Sequence, residues 1–89
     1  MYNFLCFVLG VEQEICEDLM RALGRIIRSE RMRLGYSQNQ LADMAGFHRT
    51  YIGLVENGQH NMTIESCIRF AEALGMTVYD LFSAAKERR

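Results

Sequence analysis

The chain has 89 residues, enough for one modest hydrophobic core and too few for two. Its composition, 49% hydrophobic and 24% charged, is that of an ordinary globular protein, and it contains no proline or tryptophan. A formal net charge of −1 excludes a uniformly basic nucleic-acid binder, so the distribution of charge carries the information, not its sum.

The chain opens with the apolar run NFLCFVLG, residues 3–10. It is too short to span a bilayer, and it lacks the basic start and the small-residue cleavage site of a signal peptide. Residues 1–16 are expected to form an N-terminal extension that caps the core or contacts a second subunit, with Phe4, Phe7 and Val8 as its apolar contribution. Residues 17–84 are expected to form the domain proper, and residues 85–89 a frayed tail.

Ile15, Leu19, Leu23, Ile26 and Ile27 recur every three to four residues. That spacing predicts a helix from about residue 12 or 17 to Arg33, stopped by Gly35, with Gly24 a point where it can break. Ser37 and Gln40 have the spacing of a capping box at the head of a second helix, whose inward face is Leu41, Met44 and Ala45. Gly46 ends it in the left-handed conformation that glycine adopts without strain. A third helix runs from Arg49 to Glu56, with Ile52 and Val55 inward, Phe47 packed before it and Asn57-Gly58 after it. Thr63 caps a fourth helix with the stripe Ile64, Cys67, Ile68, Ala71 and Leu74, and Gly75 stops it. Thr77 caps a fifth, with Asp80 at its third position. The whole is an all-α, five-helix domain.

Charge is segregated along this plan. Residues 1–18 hold Glu12, Glu14, Glu17 and Asp18 and no base. Residues 19–62 hold six arginines (Arg21, Arg25, Arg28, Arg31, Arg33 and Arg49) against Glu30, Asp43 and Glu56. An acidic arm beside a basic centre fits a nucleic-acid face on one side only. Three cysteines (Cys6, Cys16 and Cys67) form no CxxC pair, and there are only two histidines. No metal or other cofactor is expected, and the odd cysteine count argues for reduced thiols in a cytoplasmic protein.

Gln38, a small residue four later (Ala42), glycine eight later (Gly46) and the apolar anchors Ile52 and Val55 resemble the helix-turn-helix signature. The resemblance widens through IRSERMRLGYSQNQLADMAGFHRTYIGLVENG (residues 27–58) and MTIESCIRFAEALGMTVYDLF (residues 62–82). Over about two thirds of the chain, this is similar to the phage-repressor and Cro type, the XRE family, with its lambda-repressor-like fold. Within that family, HRTYIGLVENGQHNMT is similar to restriction–modification controller proteins. His48 departs from the pattern, standing where Ser, Thr or Asp is usual.

The resemblance implies a regulator of transcription, without catalytic activity, that binds double-stranded DNA as a homodimer on a pseudopalindromic operator. It also implies autoregulation. The third helix would offer Arg49 and Thr50 to base edges, where an arginine can grip a guanine with two hydrogen bonds. Gly53, a poor helix residue by roughly 1 kcal/mol, would let the helix lie deeper in the groove. Gln38, Tyr51, Asn57, Gln59, His60 and Asn61 are expected on the DNA backbone, with the Tyr51 ring able to stack on a base or sugar. Arg31 and Glu56 match the family's buried ion pair. Met76, Val78, Tyr79 and Phe82 are the expected dimer interface.

RNA polymerase is a candidate further partner through an acidic patch that includes Glu30 or Asp43. No membrane and no small-molecule ligand are expected. The histidines have no acidic cluster or cysteine in register, and no phosphate loop or metal spacing supports an enzyme. The rival reading is an antitoxin-type interaction protein that binds both DNA and a partner protein, with the apolar, acidic N-terminal arm as the partner surface.

Overall fold

The computed structural model describes residues 13–87. The extension at residues 1–12, with Phe4, Phe7, Val8 and Cys6, lies outside the described residues. Five helices follow in order: α1 Gln13–Arg33, α2 Gln38–Ala45, α3 Arg49–Glu56, α4 Ile64–Ala73 and α5 Val78–Glu87. The described residues contain no strand, and none of their helices is long and apolar enough to cross a membrane.

Each boundary has a local cause. Gly35 turns the chain at φ +79° after α1, and the Tyr36 amide donates back to the Arg31 carbonyl at 3.0 Å. Ser37 begins α2 with a complete capping box: its Oγ accepts from the Gln40 amide, while the Gln40 side chain accepts from the Ser37 amide. Gly46 ends α2 at φ +78°. Thr63 caps α4 by accepting from the Ser66 amide, and Thr77 accepts from the Asp80 amide at the start of α5.

The core is one cluster contributed by all five helices. Leu23, Ile26 and Ile27 of α1 meet Leu41 and Ala42 of α2, Ile52 and Val55 of α3, Phe70 and Ala71 of α4, and Leu81 of α5. Met62 pins the loop between α3 and α4 into the same core.

The inward faces differ from the expected stripes at several points. Ile15 is exposed and Leu19 only half-buried, because α1 turns Cys16, Met20 and Ala22 toward its neighbours instead. Met44 faces solvent, since the short α2 buries only Leu41, Ala42 and Ala45. Ile64 and Ile68 are exposed, and Phe70 fills the core in their place. The large ring buries far more apolar surface than either isoleucine would there. Gly24 does not break α1. Helix α5 continues to Glu87, and Ala85 is fully buried; residues 88–89 of the expected tail lie outside the described residues. Cys16 is disulfide-bonded, which corrects the expectation of reduced thiols; an odd count forbids full pairing but not a single bridge. Cys67 is free and buried, and burial pushes its thiol up to about 12.

Candidate nucleic-acid interface

The turn between α2 and α3 is held from both sides. The Gly46 and Phe47 amides both donate to the Ala42 carbonyl, at 2.8 and 2.9 Å. From α4, Arg69 donates to the carbonyls of Ala45 and Gly46, and its guanidinium lies 4.2 Å from the centre of the Phe47 ring. A cation thus covers the last carbonyls of α2, where the helix dipole is negative, and packs on an aromatic face. Nothing local in the sequence marks Arg69 for this role, because its partners are about 24 residues away.

The C-terminal end of α3 is committed to the protein. The Arg31 Nε and Nη2 donate to the two Glu56 carboxylate oxygens at 2.6 and 3.1 Å, and Nη1 donates to the Tyr36 carbonyl at 2.8 Å. The pair is buried, with side-chain exposures of 12% for Arg31 and 2% for Glu56. Gln38 Nε2 donates to the same carboxylate at 3.2 Å. The network therefore ties the end of α1, the start of α2 and the end of α3 together. Gln38 keeps its second amide proton, at the head of α2, where a phosphate contact is expected. Just beside this network, α1 passes so close to α3 that a Cβ on Gly24 would lie 2.2 Å from the Val55 carbonyl oxygen.

The N-terminal half of α3 faces the other way. His48 is its cap: the ring Nδ1 accepts from the Thr50 amide at 3.1 Å, the task that a Ser, Thr or Asp oxygen usually performs. Helix α3 accordingly begins at Arg49, and the histidine does not displace its start. Arg49 and Thr50 are exposed, and neither side chain has a hydrogen bond or ion pair among the described residues. Around Gly53 a Cβ would meet nothing within 4 Å.

Charge pairing sharpens the picture of the basic centre. Arg21 pairs with Asp18, Arg33 with Glu30 and Arg31 with Glu56. Arg25, Arg28 and Arg49 have no carboxylate partner among the described residues, and of these only Arg49 lies on α3. Glu30, one of the two acidic residues considered for a polymerase patch, is engaged by Arg33 at 2.8 Å.

Tyr51 packs among its aromatic neighbours. Its ring centre is 4.8 Å from that of Phe47, 4.7 Å from that of His60 in an edge-on arrangement and 6.1 Å from that of Phe70. Those contacts hold the half-buried ring against the protein. Burial raises the Tyr51 phenol above its usual range, and a hydrogen bond with Ser66 opposes that rise. The hydroxyl lies beside Ser66 in the first turn of α4.

The loop after α3 is ordered by its own backbone. The Asn57 amide donates to Gly53, Gly58 to Val55 and Gln59 to Leu54, at 2.8–3.1 Å. Gly58 sits at φ +71° directly over Arg21. Asn57, Gln59 and His60 are exposed and Asn61 is half-buried. The His60 Nδ1 bonds the Asn61 carbonyl at 2.8 Å, which orients the ring. At the other end of the chain, Tyr79 is 81% exposed, while Met76, Val78 and Phe82 are half-buried at the edge of the core.

Comparison with known proteins agrees with this geometry. The helix-turn-helix family profile matches residues 27–81. The chain is 40% identical over 73 residues to the control protein C.SmaI of Serratia marcescens, covering 81% of this chain and 87% of that protein. Its fold is similar to the crystal structure of the restriction-modification controller protein C.AhdI from Aeromonas hydrophila. The TM-score is 0.67 at 34% identity, over 70% of this chain and 94% of that one. It is also similar to the clp gene regulator ClgR of Corynebacterium glutamicum, with a TM-score of 0.75 at 28% identity, over 79% of this chain and 74% of that one.

Proposed function

The chain belongs to the helix-turn-helix family of DNA-binding transcription regulators, and from that premise we propose that it recognises a specific two-fold-related site on double-stranded DNA as a homodimer. The observation that carries the reading is the division of α3. Ile52, Val55 and Glu56 are buried, while Arg49 and Thr50 stand exposed without protein partners beside the open Gly53. A helix held from behind in this way can enter the major groove with its first turns forward. Arg49 reads a guanine through O6 and N7, and Thr50 offers a hydroxyl or a methyl group to the neighbouring base. Gln38, Tyr51, Asn57, Gln59, His60 and Asn61 fix the module on the sugar-phosphate backbone.

One module of this size makes few contacts, so two copies act together with half-sites about one helical turn apart. The interface is the C-terminal patch of Met76, Val78, Tyr79 and Phe82. The similarity to control protein C.SmaI and to the controller C.AhdI supports a controller that regulates its own gene.

The test is a band-shift titration on the DNA upstream of the protein's own coding sequence, at several salt concentrations, with the oligomeric state measured by sedimentation. The expected result is a dimer that shifts this DNA and loses affinity steeply as salt rises, because neutralised phosphates release counterions. An intact dimer that shifts no duplex at low salt overturns the proposal.

A further inference from the structure

We infer that His48 contacts the DNA, its outer ring nitrogen Nε2 donating a hydrogen bond to an acceptor on the duplex. The inference rests on the DNA-binding reading above and adds a recognition residue to it. The starting observation is the cap. The Thr50 amide donates to His48 Nδ1 at 3.1 Å, and an amide can donate only to a nitrogen with a free lone pair. Nδ1 is therefore unprotonated, and the neutral ring carries its single proton on Nε2.

The two nitrogens flank Cε1, and their outward directions diverge widely. With Nδ1 turned to the first turn of α3, the Nε2–H points away from it. His48 is exposed, and Nε2 has no hydrogen-bond partner among the described residues. It stands next to Arg49 and Thr50, on the same entering end of the helix. A Ser, Thr or Asp cap would satisfy the same amide with an oxygen and present no N–H. The imidazole does both: it caps with one nitrogen and holds an oriented donor on the other.

The acceptor is an oxygen or nitrogen on the DNA, either a phosphate oxygen or the major-groove edge of a base. Two near-isosteric substitutions separate the cap from the contact. The Asn side-chain oxygen coincides with Nδ1 but nothing replaces Nε2, whereas the Gln side-chain nitrogen reaches the position of Nε2 but leaves the cap empty. His48→Asn is expected to melt within about 2 °C of wild type and to bind about tenfold more weakly. His48→Gln is expected to melt about 4–8 °C lower and to bind within about threefold of wild type.

Binding is measured below both melting transitions. The probes are a duplex selected from a random pool by the wild-type protein and an unrelated duplex of equal length. For His48→Asn, parallel loss on both probes identifies a phosphate acceptor, and loss on the selected duplex alone identifies a base. Asn binding like wild type, or Gln binding as weakly as Asn, overturns the inference. Failure of the wild-type protein to select any duplex would instead overturn the regulator reading itself.

Discussion

Among the described residues, two glycines lie inside helices, and their surroundings are opposite. Gly24 is in the middle of α1, where a methyl group would collide with the Val55 carbonyl oxygen at 2.2 Å. Gly53 is in the middle of α3, where a methyl group would meet nothing. Both give up roughly 1 kcal/mol of helix propensity relative to alanine. At Gly24 the fold itself requires the sacrifice, because two helix backbones meet there. At Gly53 nothing in the protein fills that space, which is what the proposed clearance against DNA would use. The contrast extends to the two ends of α3: its last turn is locked by Gly24, Arg31 and Gln38, whereas its first turns are left open.

The locked end should break hardest. Arg31→Met leaves the Glu56 carboxylate buried, with only Gln38 as a side-chain donor. Removing one partner of a buried pair typically destabilises by about 3–5 kcal/mol, which chemical denaturation would read directly. Arg31→Met combined with Glu56→Leu should recover much of that loss, because the stranded charge is gone. Unchanged stability in Arg31→Met would mean that the buried pair makes no net contribution to holding the fold. Gly24→Ala comes next. The methyl group must push α1 away from α3, and overpacking of this kind costs about 1–3 kcal/mol. If Gly24→Ala proves as stable as wild type, the close approach is not a constraint and the contrast with Gly53 collapses.

The legibility of the chain follows the same division. Features set within four or five residues were readable: the Ser37–Gln40 capping box, the left-handed Gly46, the Thr63 and Thr77 caps and both bounds of α3. So was the outward position of Arg49 and Thr50, because Ile52 and Val55 fix which side of α3 faces the core. Features set by a distant neighbour were not readable. Gly24 looked like a possible break until α3 was placed over it. On α4 two apolar stripes share Cys67, Ala71 and Leu74, and only packing against the other helices selects Phe70 over Ile64 and Ile68 for the core. Arg69 reaches across to the carbonyls that end α2, and the Tyr51 ring is taken up by Phe47, His60 and Phe70. The Arg31–Glu56 pair, 25 residues apart in sequence, was reached only through family resemblance.

The open end should show the reverse pattern, with binding lost and stability kept. Arg49 is exposed and unpaired, so Arg49→Ala should leave unfolding within about 0.5 kcal/mol of wild type. It should nevertheless lose about 1–3 kcal/mol of binding to the selected site, with discrimination relaxed at one base pair. A uniform loss on all duplexes would assign Arg49 to a phosphate instead of a base.

The smallest effect is the most diagnostic. Gly53→Ala places a methyl group where the protein has free space, and alanine is the better helix former. The variant should therefore be more stable than wild type by up to about 1 kcal/mol. If the glycine serves clearance against the groove floor, the same variant should bind its site more weakly. A single substitution would then raise stability and lower affinity, a combination that damage to the fold cannot produce. Tighter or equal binding by the more stable variant would remove the clearance argument and leave Gly53 an ordinary surface glycine. The asymmetry between the two glycines would then lie only in what Gly24 must avoid.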